Sequence, residues 1–457
     1  MRRLLLAALL VLAVPSAAEA KPFTVGTGQN AGVAIDDAGT LYVGWQINTY
    51  EPGDAVQFCV LAPRRTRCAW QVTIPFPGQG YNRSRVSVLL PAPGVVDVLV
   101  PRTDAGPDAY TFLARSTDGG RTFAPAVQIS GDAYAAAVQG PGGRIALVDG
   151  PTTLRAGVFA PDGSSRGSEG VAIGDFLEGV SNDIAASGEE VLAAGSDANA
   201  THAFRLPAGG NPDDPAAWQQ FDPAVGRQPR LAPLGAGGFA VLLEPVSDRP
   251  LFVQRLEAGG WTPPVGVAPG LNTDFDLAGN SAGRLSAVVA YSRYRLDYAT
   301  STDGGVLWSS VVTVARLGED YPSALEVATN TRGQGAAVVD SSLDDKAIRV
   351  ARFTPRAAPV ARRQIRGARV QVRSSCDEEE LSLVVEAARG NRQVAPSSVL
   401  RRARFGRARG ARRGFRTRFR ARYELTRRRA RIPVRVVPRR GKARTLRLRV
   451  RRCGATS

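Results

Sequence analysis

The side chains that usually carry enzyme chemistry are scarce in this sequence. His202 is the only histidine among 457 residues, so a Ser-His-Asp or Cys-His arrangement would have one possible base. It lies in the segment Ala200–Phe204, which has the pattern of an ordinary strand, and we interpret it as structural. No Gly-rich loop follows a strand and opens a helix, so nothing supports nucleotide binding. We therefore predict no catalytic residue, no metal site and no cofactor.

The four cysteines fall into two pairs by position. Cys59 and Cys68 flank a turn-like sequence, so a bridge between them would staple a hairpin. Cys376 and Cys453 bracket the last part of the chain, where a bridge would tie the first strand of a domain to its last. Four cysteines allow three connectivities, and a metal site is the competing interpretation, although no Cys-x-x-Cys or His-rich spacing favours it. We predict two disulfides, which persist in oxidising compartments.

The first twenty residues have the pattern of an export signal. Two arginines precede the short apolar run Leu4–Val14, and Ala18 and Ala20 supply a small-x-small cleavage pattern. The run is too short to span a bilayer, and no later stretch approaches about 18 uninterrupted apolar residues. We expect residues 1–20 to be removed near Ala20, which would leave a secreted, monomeric protein without a transmembrane segment.

The net charge of +18 is distributed unevenly. Residues 361–457 contain 31 Lys and Arg against 6 Asp and Glu, a net charge of +25, so the rest of the chain carries −7. The sequence therefore predicts an acidic body with a strongly basic end, an asymmetry that bears on partners rather than on fold.

A β-rich unit recurs through the acidic body. Each copy leads from a small or polar residue into an alternating strand, a Gly-containing turn and further strands bounded by polar turns. The copies begin near Gly32, Ser84, Tyr134, Asn182, Pro229, Phe275 and Ser323. Their spacing of 46 to 52 residues is typical of propeller blades, because a four-stranded sheet of this kind buries both of its faces only by stacking against neighbours.

We therefore predict an all-β protein in which residues 21–357 form a seven-bladed β-propeller. Six or eight blades are the alternatives, because units three to five follow the pattern less closely. A β-helix is the competing architecture, although its repeats are usually much shorter.

Two segments of the body share the pattern Ser-x-Asp-x-Gly-x-x-aromatic, one at the end of the second unit and one at the equivalent point of the sixth. The matching residues are Ser116, Asp118, Gly120 and Phe123, and then Ser301, Asp303, Gly305 and Trp308. In such a turn the carboxylate can accept hydrogen bonds from nearby backbone N–H groups, and the glycine can adopt a positive φ. The aromatic side chain can then pack between strands.

With these motifs, residues 21 to about 355 resemble the Asp-box propellers of the sialidase-like superfamily. That superfamily includes sialidases and many secreted glycan-handling or non-catalytic propellers. In it the box is a fold element on the outer rim of a blade, away from the central cleft. The resemblance therefore implies that Asp118 and Asp303 are structural rather than catalytic acids.

The motifs of a sialidase site are missing from their usual places. Such a site needs three arginines that clamp a carboxylate, a Tyr–Glu pair and an aspartic acid/base. The family has Arg-Ile-Pro in its first blade, but residues 21–33 contain no arginine, and Arg431-Ile-Pro433 lies in the basic end. Glu244 with Tyr291 or Tyr294 could form a pair, but nothing in the spacing requires it, and we interpret these charges as solvated strand ends. The arginines near unit starts are Arg83, Arg85, Arg227, Arg230, Arg293 and Arg295.

The basic end has a strand pattern rather than a disordered one. Arginines alternate with apolar residues in 368–373, 415–420 and 446–450, which places them on one face of each strand. We predict a linker at 358–366 and a basic, Ig-like β-sandwich over 367–457. Its arginine-covered surface would attract anionic envelope polymers, and the alternative is a solvated face docked on the acidic propeller.

These observations favour a secreted, non-catalytic propeller that binds an extracellular glycan or protein at the mouth of its central channel. The alternative is a divergent sialidase-like glycoside hydrolase of the exo-α-sialidase type. A third hypothesis is a purely structural envelope protein.

Overall fold

In the computed structural model, one part of the chain is described in full and another as backbone strands. The described residues are 22–47, 55–77, 85–103, 109–150, 152–165, 168–175, 181–235, 237–246, 250–257, 260–268, 273–291, 295–309, 311–316, 322–341 and 346–353. Within these ranges, only the backbone is described at 103, 109, 273, 291, 316, 322–324 and 341. Backbone strands are described between 363 and 451. The predicted export signal lies outside the described residues.

The body is a ring of seven antiparallel sheets. Six are built from strands that follow one another along the chain, and the seventh also includes the first strand of the chain. The first strand of the chain is β1 (Phe23–Thr27). Blade 1 contains β2 (Gln29–Ile35), β3 (Leu41–Ile47), β4 (Ala55–Leu61) and β5 (Trp70–Pro75). Blade 2 contains β6 (Ser87–Ala92), β7 (Val95–Thr103), β8 (Ala109–Ser116) and β9 (Val127–Ser130). Blade 3 contains β10 (Ala136–Gln139), β11 (Ile145–Asp149), β12 (Thr153–Phe159) and β13 (Val171–Asp175).

The remaining blades repeat this order. Blade 4 contains β14 (Ser181–Ser187), β15 (Glu190–Ser196), β16 (Ala200–Leu206) and β17 (Gln219–Val225). Blade 5 contains β18 (Arg227–Gly235), β19 (Gly238–Glu244), β20 (Leu251–Glu257), β21 (Gly260–Trp261) and β22 (Val265–Ala268). Blade 6 contains β23 (Thr273–Gly279), β24 (Leu285–Tyr291), β25 (Arg295–Ser301) and β26 (Val312–Arg316). Blade 7 contains β27 (Pro322–Thr329), β28 (Gly335–Ser341) and β29 (Ala347–Phe353).

The predicted all-β class and the count of seven blades are confirmed. The helical elements of the described chain are two 3₁₀ turns, Pro141–Gly143 and Pro215–Ala217. No helix in the described residues is long and apolar enough to cross a bilayer. The first strands of successive blades contact one another around the ring, so they line its central channel.

The ring is closed by the beginning of the chain. Strand β1 pairs antiparallel with β29, so blade 7 takes its fourth strand from a segment more than 300 residues away. Trp45 of blade 1 fixes this join, because its indole N–H donates to the Thr27 carbonyl at 2.9 Å. The sequence reasoning missed this closure, although a seventh unit with only three strands before residue 357 was a signal for it.

Apolar side chains fill the spaces between adjacent blades. Phe58 of blade 1 shares a buried cluster with Val98 of blade 2, and Val288 of blade 6 shares one with Val339 of blade 7. Each sheet therefore buries both faces against its neighbours, which is the arrangement that the repeat predicts.

The antiparallel order gives the ring two distinct faces. We call the face at which the first strands begin the upper face, and the face with the hairpins between first and second strands the lower face. The loops before each first strand and those between second and third strands therefore lie at the upper face, where the channel has its mouth.

A disulfide joins Cys59 and Cys68 in blade 1, as the sequence predicted. Arg352 of blade 7 reaches over to this hairpin and donates to the carbonyl of Ala62 at 3.0 Å. It also donates to the carbonyl of Gly39 at 2.9 Å. The hairpin is therefore held both by its own disulfide and by a hydrogen bond from the last blade. The predicted partner of Cys376, Cys453, lies outside the described residues.

The C-terminal part forms two further antiparallel sheets. Their strands are β30 (Arg363–Ile365), β31 (Ala368–Asp377), β32 (Glu380–Ala387), β33 (Asn391–Pro396), β34 (Ala408–Arg409), β35 (Arg418–Glu424), β36 (Arg429–Pro438) and β37 (Arg444–Arg451). One sheet has the order β30-β31-β32-β35-β34 and the other β33-β36-β37. The Ig-like sandwich and its linker at 358–366 stay predictions.

Candidate functional site

Charged side chains from equivalent positions of several first strands face the channel near the upper face. Asp183, Arg230, Asp276 and Glu326 follow one another in blades 4 to 7 at spacings of 47, 46 and 50 residues. Arg85, just before β6, completes the set, which we call the channel ring.

The acidic members of the channel ring bind the backbone of the next blade. One oxygen of Asp183 accepts from the Leu231 N–H at 2.6 Å, and one oxygen of Asp276 accepts from the Val327 N–H at 2.7 Å. Glu326 accepts from the Val33 N–H in the same way. These carboxylates connect neighbouring first strands, so they have a structural role whatever else they do.

Arg230 is held by its surroundings. Its Nη1 atom donates to the Ser181 hydroxyl at 3.0 Å and to the Pro229 carbonyl at 3.0 Å, and its Nε atom lies 3.9 Å from a carboxylate oxygen of Asp276. The guanidinium also lies 5.7 Å from the ring centre of Phe275. Arg230 therefore bridges blades 4, 5 and 6.

Arg85 has a different environment. It comes from blade 2, yet its guanidinium experiences the charges of Asp183, Asp274, Asp276 and Glu326, which belong to blades 4, 6 and 7. A side chain of blade 2 can approach acids of blades 4, 6 and 7 only if it points toward the central axis of the ring, so Arg85 points into the channel. The backbone carbonyl of Arg85 accepts from the Tyr134 hydroxyl at 3.2 Å. Within the described part of the chain, its guanidinium makes no hydrogen bond and no ion pair shorter than 4.0 Å, and the residue stays partly exposed.

Burial and neighbouring negative charges raise the pKa values of the carboxyl groups in the channel ring. The pKa of Glu326 is raised to about 8, mainly by burial and also by the charges of Asp276 and Asp183, against the opposing effects of Arg85 and of the hydrogen bond from Val33. Burial also raises the pKa of Asp183 to about 6 and raises that of Asp276. Glu326 is therefore largely protonated at neutral pH, and its carboxyl group can donate a hydrogen bond as well as accept one.

The raised pKa of Glu326 predicts a pH-dependent stability. Its unfolded pKa is near the ordinary value of about 4.3, so between that pH and about 8 the folded state binds the additional proton. Stability should fall as pH rises through this window. We expect Glu326→Gln, which keeps an acceptor for the Val33 N–H, to be the more stable form at pH 8.5 by on the order of 1 kcal/mol. Denaturant unfolding at pH 5 and pH 8.5 measures the difference.

The exposed Glu189 of the lower face supplies the control for this measurement. Glu189→Gln should follow the wild-type pH dependence, because that side chain is solvated. A wild-type difference between pH 5 and pH 8.5 that persists unchanged in Glu326→Gln would contradict the assignment.

The two predicted Asp-box segments lie at the lower face, away from the channel mouth. Gly119, next to Asp118, donates its N–H to the carbonyl of Gly94, which belongs to the β6–β7 hairpin, at 2.8 Å. Gly304, next to Asp303, makes the equivalent bond to Gly283 at 3.0 Å. Both segments thus join the third strand of a blade to its first hairpin.

The two segments have matching hydrogen bonds. The Ser116 hydroxyl donates to Asp118 at 2.8 Å, and that of Ser301 donates to Asp303 at 2.9 Å. The N–H of Gly120 donates to Ser116 Oγ and that of Gly305 to Ser301 Oγ, both at 2.8 Å. Hydrogen bonds from Thr122 hold the pKa of Asp118 well below its usual range.

The aromatic ends of the two segments pack inward. Phe123 contacts Phe58 of the preceding blade edge to face, with ring centres 5.0 Å apart. Trp308 is 1% exposed. A side chain on Gly120, whose φ is +84°, would lie 2.4 Å from the Phe58 ring. These are contacts of a structural element, and the assignment as Asp-boxes stays a prediction.

The other sequence candidates do not join the channel ring. Arg227 pairs with Glu244 at 2.9 Å, and Arg295 lies on a third strand, where it pairs with the buried Asp297 at 3.0 Å. Arg83, Arg293 and Tyr294 lie outside the described residues, as does the side chain of Tyr291.

His202 lies on the third strand of blade 4. Its Nε2 atom is 3.0 Å from Asp197, five residues earlier in the same hairpin. This local pair agrees with the structural interpretation of the histidine.

Sequence reasoning singled out Arg85 and Arg230 but missed the carboxylates that meet them. Asp183, Asp276 and Glu326 were hidden because each looks like an ordinary polar residue at the start of a strand. Their regular spacing with Arg230 was the available signal, since residues at equivalent positions of successive first strands must face the same channel.

No protein-family model matches the chain, and no curated protein does. Among solved structures it is similar to the Hadza microbial sialidase Hz136, with 12% identity and a TM-score of 0.40 over 72% of this chain and 66% of the sialidase, just under two thirds of its length. A lectin of Aleuria aurantia gives 9% identity and 0.41, covering 75% of this chain and 97% of the lectin. YCF48, solved bound to a D1 peptide, gives 12% and 0.42, covering 74% and 96%. These similarities concern the propeller fold alone.

Proposed function

We propose that the protein is a secreted propeller that binds an extracellular glycan or protein at the channel mouth, without catalysing a reaction. The observation that carries this proposal is the guanidinium of Arg85. It occupies the mouth with its donors directed at no acceptor in the described residues, while Arg230, Asp183 and Asp276 are engaged in joining blades. A charged donor in this position is suited to a ligand that supplies acceptors.

We further propose that the arginine-rich C-terminal part associates with anionic polymers of an envelope. The support is its net charge of +25 over residues 361–457 and the alternation of arginine with apolar residues. Association of this kind weakens steeply as salt releases the bound counterions. It supplies attachment, whereas the channel mouth supplies the specific ligand.

The mouth proposal predicts that one side chain controls ligand binding. We expect Arg85→Met to lower the affinity for any ligand found on a glycan and peptide array at least about tenfold, since charged hydrogen bonds contribute about 1.5–3 kcal/mol each. Titration of the mature full-length protein measures the affinity. Arg332→Met, at an exposed lower-face hairpin, is the matched control and should bind like the wild type.

Two results would replace this proposal with its alternatives. Turnover of a fluorogenic sialoside that disappears in Arg230→Met would indicate a hydrolase. The absence of any ligand on both arrays would indicate a purely structural envelope protein.

A further inference from the structure

We infer that the channel mouth selects an uncharged, hydroxyl-rich sugar and excludes anionic sugars. This inference rests on the proposed function and names the ligand class of the same site. Arg85 would donate to ring or hydroxyl oxygens, while carboxyl groups of the channel ring would accept from the hydroxyl groups of that sugar.

The balance of charge at the mouth disfavours an anion. In the described residues around Arg85, the three aspartates Asp183, Asp274 and Asp276 face two arginines, and Glu326 adds a fourth negative charge only above about pH 8. One of these arginines, Arg230, already has a hydroxyl, a carbonyl and a carboxylate as neighbours. An anionic ligand that reached Arg85 would also approach the surrounding carboxylates, and repulsion in this poorly solvated place is strong.

The same groups suit a neutral sugar. A carboxylate has about four acceptor positions, and the backbone N–H groups of Leu231 and Ile184 occupy only two on Asp183. Asp276 likewise accepts from Val327 and Leu277. The remaining positions can take hydroxyl donors. A sugar hydroxyl donates and accepts at once, so one hydroxyl can bridge the Arg85 guanidinium and a ring carboxyl without adding charge.

Blade 1 has a glycine, Gly32, at the position equivalent to the channel ring, and the absence of a side chain there leaves space at the mouth. A Cβ atom on Gly32 would lie 3.1 Å from a carboxyl oxygen of Glu326 and 1.9 Å from the Val86 carbonyl. Blade 1 therefore contributes no side chain to the channel ring at this position, and Glu326 of blade 7 experiences the charge of Arg85 of blade 2. An acceptor from blade 7 and a donor from blade 2 are thus both available to a hydroxyl group in this part of the channel.

The test uses matched pairs of oligosaccharides. Hexaoses of β-glucan, galactan and mannan are compared with the same hexaoses oxidised at C6 of the terminal residue, which adds a single carboxylate. Titrations of the mature full-length protein in 0.3 M NaCl suppress attraction to the arginine-rich end, since salt of this concentration screens exposed charges (about 5 Å Debye length). We expect at least one neutral hexaose to bind at least tenfold more tightly than its oxidised form.

Two variants assign the preference to the mouth. Arg85→Met should weaken neutral binding at least tenfold. Glu326→Gln should narrow the difference between neutral and oxidised sugars at pH 8.5, because it removes a negative charge. Arg332→Met and Glu189→Gln are the matched controls, and thermal unfolding of each variant verifies that the ring is intact.

The outcomes separate this inference from the proposed function. Tighter binding of an oxidised hexaose that depends on Arg85 would overturn the inference and keep the proposal of a binding propeller. Binding of a peptide alone at the mouth would do the same. Failure of every neutral hexaose to bind overturns the inference, and a ligand unaffected by Arg85→Met overturns both.

Discussion

Replacement of Gly32 by alanine is expected to lower the free energy of unfolding by about 3 kcal/mol or more, at the upper end of overpacking effects. The first strand of blade 1 passes close to the start of blade 2 here, and the new Cβ would lie 1.9 Å from the Val86 carbonyl oxygen. Because that contact is with backbone, the strands themselves must separate. The separation also strains the hydrogen bond between the Val86 N–H and the Asn30 carbonyl, now 2.9 Å long.

Denaturant unfolding of the mature protein measures this loss. Gly238→Ala is the control, because its nearest neighbour would lie 3.3 Å from the new Cβ, a distance that a small adjustment accommodates. It should cost less than about 1 kcal/mol, because the intrinsic preference for alanine over glycine within a strand offsets the small adjustment. If the two variants were equally stable, the strands of blades 1 and 2 would be able to separate at the channel at little cost, which would contradict this prediction.

Truncation of Trp45 to alanine should cost about 3–5 kcal/mol, the usual range for a large buried aromatic side chain. Trp45 is 1% exposed and packs against Gly26 of β1, where a Cβ atom would lie 2.3 Å from its ring. Its indole N–H holds the Thr27 carbonyl. Loss of this side chain therefore removes both the packing and the hydrogen bond that attach the closing strand to blade 1.

Trp261→Ala is the matched control for Trp45→Ala. Trp261 also donates its indole N–H to a carbonyl, that of Asp222 at 2.9 Å, but it is only partly buried at the outer edge of blade 5. Its loss should cost clearly less. Trp45→Phe should recover part of the packing and fall between Trp45→Ala and the wild type. If Trp45→Ala were no less stable than Trp261→Ala, the closure would not depend on this contact.

Closure of the ring matters for the channel mouth as much as for stability. Glu326 lies in blade 7 and Arg85 in blade 2, and blade 1 between them is fastened to blade 7 by β1 and by the bond from Val33 to Glu326. A ring that opens at this join separates the donor from the acceptor. Trp45→Ala should therefore weaken ligand binding under conditions that destabilise the fold, in parallel with the loss of folded protein.

The sequence alone determined the repeat and much of what it implies. Period-two alternation and turn residues every few positions specify short strands, and a spacing of 46 to 52 residues specifies sheets that must stack. Those signals are local, so they can be read from neighbouring residues. The hairpin disulfide of Cys59 and Cys68 was accessible for the same reason, since only nine positions separate the two cysteines.

Tertiary structure decided which charges meet. Arg85 and Glu326 are 241 positions apart, and nothing within either segment indicates that they share a channel. Only the closed ring places equivalent positions of blades 2, 4, 5, 6 and 7 around one axis, and only their burial there raises the pKa of Glu326 to about 8. A local pattern can specify a blade, whereas the electrostatics of the mouth depends on distances across the ring.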